Sequence, residues 1–130
     1  MANQFTDIKI KALDDSASGP SGEGALMRLV LRLSQSAPAP WSQYFNKAWQ
    51  QHIYMMKRRA SVSGDRLEII CMPNELQADH IPELNKIITQ TNAAYGAYAA
   101  EQTRLRQKTA DESQRQKDDL AKLKGQLKFD

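Results

Sequence analysis

The sequence predicts an α+β fold: an antiparallel four-stranded sheet in the order β-β-α-β-β-α, with two helices on one face and a long projecting C-terminal helix. Three observations predict it. Apolar residues alternate with polar ones over 5–13 and 25–33, the period of a half-buried strand. Trp41–Met56 and the stretch after Pro82 hold helical spacing. Ser63-Gly64-Asp65 separates two short apolar runs, as the turn of a hairpin does. At 130 residues, 41% hydrophobic and 25% charged, the chain suits one core and is not a disordered or collagen-like polymer. A globular domain over 1–100 and a charged helical extension over 101–130 are expected.

The first strand is expected over Phe5–Leu13, where Ile8, Ile10 and Ala12 alternate with Lys9 and Lys11. Asp14–Gly24 holds three glycines, three serines and a proline without a large apolar side chain, so it reads as a mobile loop. Its glycines resemble a phosphate cradle in number alone, because no Gly-Lys-Ser/Thr ending follows. Ala25–Leu33 is the second strand, with Met27, Leu29, Leu31 and Leu33 on the core face and Leu26, Arg28, Val30 and Arg32 on the solvated one.

Pro38 and Pro40 stop the strand and pre-set a helical first turn near Trp41. Projected at helical pitch, Trp41–Met56 places Trp41, Tyr44, Phe45, Ala48, Trp49, His52, Ile53, Met55 and Met56 on one side, with Tyr54 opposite. A sheet with one apolar face needs a cover, so this aromatic face is assigned to the core rather than to a membrane surface. The hairpin follows over Ala60–Met72. Asp79, Pro82 and Glu83 then mark the start of the last helix, along which Leu84, Ile87, Ile88, Thr91, Ala94, Tyr95 and Tyr98 keep helical spacing. Acid-before-base pairs Glu101–Arg104, Asp111–Arg115, Glu112–Arg115 and Asp118–Lys122 support helix through the charged region. Gly96 is the natural place for a break.

The formal charge is +3, and residues 1–73 carry all of it. A lone cysteine, Cys71, cannot form an internal bridge, and Met1–Phe5 lacks the basic and apolar regions of a leader, so a cytoplasmic location is expected. No apolar run approaches the ~20 residues of a membrane span.

Few residues offer chemistry. Around His52, the helical neighbours Ala48, Trp49 and Met56 neither ligate nor relay protons, so His52 reads as a core-edge histidine. His80 lies beside Asp79 and near Glu83, which suggests a weak cation site, yet acids belong at a helix start in any case. Cys71 lacks a basic neighbour and cysteine partners for zinc, so it reads as an inert small hydrophobe. Nucleophile-elbow and zinc-protease motifs are missing from the sequence. The expectation is no catalytic residue, no metal site and no cofactor.

Two functions from different classes remain. The first is a non-catalytic protein-interaction module, a homodimer or a subunit docking a protein partner, that uses Tyr98, Leu105, Leu120, Leu123 and Leu127 as its contact stripe. The alternative is a nucleic-acid-binding accessory protein that uses Lys9, Lys11, Arg28, Arg32, Lys57, Arg58 and Arg59. Those cations fall on strand polar faces and before the hairpin, but stacking aromatics do not interleave with them.

Overall fold

The computed structural model describes residues 5–128; Met1–Gln4, within the segment read above for a leader, and Phe129–Asp130 lie outside them. Four strands form one antiparallel sheet in the spatial order β1-β2-β4-β3, with β1 at Ile10–Pro20, β2 at Met27–Leu33, β3 at Ala60–Ser63 and β4 at Arg66–Cys71. Helix α1, Ala39–Gln51, joins β2 to β3. A 3-10 turn at Pro73–Glu75 and a π turn at Leu76–His80 lead from β4 into α2, Ile81–Gln126. The α+β order and the long last helix are as the sequence predicts.

One face of the sheet carries α1 and the first turns of α2. Leu29, Leu31 and Leu33 of β2, Val62 of β3, and Leu67, Ile69 and Cys71 of β4 pack with Trp41, Phe45 and Trp49 of α1 and with Leu84, Ile87 and Ile88 of α2. Cross-strand pairing reinforces this, since Leu29 faces Ile69 and Leu31 faces Leu67 in register. Trp41, Phe45 and Trp49 of α1 lie four apart and stack in one column, Trp41 on Phe45 at 5.8 Å and Phe45 on Trp49 at 6.2 Å, with ring planes 5° and 7° from parallel. The β3–β4 turn uses Gly64 at φ 61°, a conformation glycine adopts without steric cost. Its carbonyl accepts the Ala37 N–H at 2.8 Å and so ties the turn to the entry of α1.

Asp14–Gly24 is corrected. Asp14–Pro20 of it belongs to β1, which starts later than expected and runs on to Pro20. Pairing passes from Asp14↔Val30 to Gly19↔Arg28, so five steps along β1 face two along β2 in a large bulge. Short polar side chains hold the bulge by acting as backbone groups. The Asp14 carboxylate accepts from Ser16 Oγ at 2.8 Å and from the Ala17 N–H at 3.1 Å, while Ser18 Oγ donates to the Asp14 carbonyl at 2.7 Å and accepts the Val30 N–H at 2.9 Å. Val30, expected on the solvated face, is buried there.

Helix α1 ends five residues short of expectation. His52 is its C-cap with extended backbone, and the Lys57 ammonium completes the end by donating to the carbonyls of Trp49, Gln50 and His52, the position where a cation best meets a helix dipole. Ile53, Met55 and Met56 therefore leave the apolar face and are exposed, whereas Tyr54 turns inward. The last helix begins at Ile81 after the π turn, so Asp79 is not its cap. Along α2, Leu84, Ile87, Ile88 and Thr91 are buried as predicted, but Asn92 is buried and Ala94 is exposed.

Contacts divide the chain into two units, residues 1–96 and 97–130. Gly96 lies within α2 and does not end it. In the second unit Glu101 and Arg104 pair at 2.7 Å as expected. Asp111 and Asp118 instead accept from Gln107 and Gln114, each at 3.0 Å. Asp111–Arg115, Glu112–Arg115 and Asp118–Lys122 do not form ion pairs among the described residues. No helix among the described residues is long and apolar enough to cross a membrane.

Candidate functional site

The predicted contact stripe lies on the second unit. Leu105, Leu120, Leu123 and Leu127 are 42–65% exposed and Tyr98 is 37% exposed. Every described residue from Thr103 onward is exposed, so this helix buries nothing within its own unit.

The seven cations are dispersed. Lys9 and Lys11 stand at the β1 edge of the sheet, whereas Lys57, Arg58 and Arg59 precede β3 at the opposite edge. Arg32 pairs with Asp14 at 3.2 Å and Arg28 with Glu68 at 3.7 Å, while Arg59 grips Glu23 with two hydrogen bonds. Arg58 donates from Nε to Glu75 at 2.8 Å. With Lys57 committed to the α1 carbonyls, five of the seven already have internal partners. Ser16 and Arg32 both hold the Asp14 carboxyl below the usual carboxylate range, Ser16 by the larger amount.

The structure also assembles a polar cluster that the sequence does not foreshadow, where the end of α1, the end of β4 and the start of α2 meet. Tyr54 Oη and His80 Nδ1 are 2.7 Å apart. His80 is fully buried, and its Nε2 lies 3.4 Å from the Glu75 carboxylate without a hydrogen bond. Glu75 is itself buried and accepts from Arg58 Nε and from the Met72 N–H at 3.0 Å. The Arg58 guanidinium, aided by that N–H, pulls the Glu75 carboxyl down to about 2. Burial raises the Cys71 thiol to about 11 and the Tyr54 hydroxyl to about 12.

His80 therefore does not join Asp79 and Glu83 in a cation site. Asp79 is exposed, and Glu83 meets His52 Nε2 at 2.7 Å and Lys86 Nζ at 3.4 Å. His52 is a core-edge residue as read, but its partner comes from 31 residues away, beyond any local spacing. The π turn explains why the Glu75–His80 pairing also escapes a sequence reading. Its hydrogen bonds close over five residues, as from the Ile81 N–H to the Leu76 carbonyl, so residues five apart become neighbours, as they are not on an α-helix.

A pH dependence follows from Glu83. The hydrogen bond from His52, with a further one from Lys86, lowers its carboxyl from the ordinary value of 4.5. A depressed folded-state pKa contributes stability that is complete above the unfolded value and is lost as pH falls through the folded one. Below pH 4.5 the wild type is expected to lose stability more steeply than Glu83→Gln. Urea unfolding midpoints at pH 7, 5, 4 and 3 test this, and parallel curves for the two proteins would refute it.

Compared with known proteins, the chain matches no family model, no curated protein and no solved structure. Its fold is a four-stranded antiparallel sheet with two helices, the second of them long.

Proposed function

We propose that this chain is a non-catalytic assembly module that pairs with a second copy of itself through the helix of its second unit. The observation that carries this reading is the distribution of charge along that helix. Tyr98, Gln102, Leu105, Thr109, Ser113, Gln116, Leu120, Leu123 and Leu127 follow one another at three- and four-residue steps and so share a face. None of these nine positions is charged, whereas the other twenty-two of 97–127 hold twelve charged residues. A merely solvated helix has no need to keep one face clear of charge. The flanks mix five acids with seven bases, so two copies brought together repel little and exchange ion pairs across the seam. Burying each leucine contributes at most about 1.5–3 kcal/mol, and the three at 120, 123 and 127 supply the densest apolar contact.

Light scattering of the full-length protein at two concentrations tests the reading. The expected mass is that of two chains, falling to one chain in Leu120→Asp/Leu123→Asp with an unchanged circular dichroism spectrum. A single-chain mass for the wild type at both concentrations would refute the proposal.

A further inference from the structure

We infer that Cys71, Glu75 and His80 form a binding site for one divalent transition-metal ion, with zinc the best match to their donor set. The thiol sulfur, a carboxylate oxygen and a ring nitrogen lie within 4.8 Å of one another, and all three side chains are buried. A thiolate, an imidazole and a carboxylate are the three ligand types that tetrahedral zinc takes, at bond lengths of about 2.0–2.3 Å. Two ligands on one such ion stand roughly 3.2–3.7 Å apart by that geometry, so the present spacing closes with about an ångström of movement.

His80 Nε2 supplies the second, independent observation. It is the one buried side-chain nitrogen or oxygen among the described residues that makes no hydrogen bond; it faces the Glu75 carboxylate at 3.4 Å, a contact too poorly aligned to count as one, and a buried group so weakly met costs up to about 1–3 kcal/mol. A metal ion would meet it.

The surroundings orient each ligand. Tyr54 Oη fixes the His80 ring through Nδ1 and Arg58 fixes Glu75 through Nε, the outer contacts that set ligand direction in metal sites. Cys71 sits at the end of β4, Glu75 immediately precedes the π turn and His80 is its last residue, an irregularity that recurs at functional positions. Binding would move the Cys71 thiol proton to solvent. The thiolate, the Glu75 carboxylate and the neutral His80 imidazole would each donate an electron pair; the two anionic ligands offset the dication's charge, and the Arg58 guanidinium beside Glu75 leaves the cluster with one net positive charge. One coordination position would remain for water or a further ligand.

The test uses full-length reduced protein with Co²⁺ as the optical probe and Zn²⁺ as the stabilising one. One equivalent of Co²⁺ is expected to give tetrahedral visible bands and a thiolate-to-metal band in the near ultraviolet, and Cys71→Ser is expected to lose the latter. Zn²⁺ is expected to raise the wild-type Tm, while Tyr54→Phe binds about 10-fold more weakly. The inference is overturned if Zn²⁺ leaves the wild-type Tm unchanged, or raises it equally in Cys71→Ser and His80→Gln. Should those variants not fold, Zn²⁺ is expected to slow alkylation of the wild-type Cys71, and an unchanged labelling rate overturns the inference as well.

Discussion

Asn92→Leu is expected to destabilise the protein by about 3–5 kcal/mol, a large share of the ~5–15 kcal/mol typical of a domain. The Asn92 side chain replaces a missing strand partner. Its Oδ1 accepts the Ile8 N–H at 3.0 Å and Trp41 Nε1–H at 2.9 Å, and its Nδ2 donates to the Ile8 carbonyl at 2.9 Å. Ile8 and Trp41 are fully buried, so water cannot take over. Leucine matches the volume and removes all three bonds, each orphaned group costing roughly 1–3 kcal/mol. Urea denaturation measures the loss, and amide exchange at Ile8 should accelerate in parallel. A change below about 1 kcal/mol would show that the site rearranges to satisfy these groups.

Asn92 marks where sequence reading stops. The apolar rhythm of Leu84, Ile87, Ile88 and Thr91 identifies the buried face of α2, but an asparagine beside it reads as solvated. Its worth depends on Ile8, 84 residues away in the chain. The strands of the hairpin, the aromatic column and the long helix were legible because each repeats a local period. The β1 bulge was not, because glycine and serine signal a loop whether their side chains point to water or complete a ladder. The polar cluster was hidden for a similar reason. Tyr54 and Arg58 come from the α1–β3 connection, Cys71 from the end of β4, and Glu75 and His80 from the turns that follow it, where a turn of unusual pitch brings Glu75 and His80 together.

Phe45→Ala is the second large effect, with an expected loss of about 3–5 kcal/mol. Phe45 is fully buried between Trp41 and Trp49, stacked on both. Truncation opens a gap between two rigid indoles that have little freedom to collapse. Both are also pinned at their nitrogens, Trp41 by Asn92 and Trp49 by the Arg58 carbonyl at 3.0 Å. The cavity should therefore persist and cost near the top of that range, and small apolar molecules should partly restore the melting temperature. Phe45→Leu should cost less than half as much, since it refills most of the space. Equal losses for the two variants would show that aromatic stacking, rather than volume, dominates.

The bulge in β1 also governs how the sheet meets other chains. An open sheet exposes a row of unpaired amides at each margin, which can template a foreign strand and seed fibrils. Here one margin is a four-residue strand and the other is interrupted by three surplus residues and ends in a proline. An incoming strand finds no uninterrupted register on either side, which leaves the sheet poorly suited to runaway polymerisation.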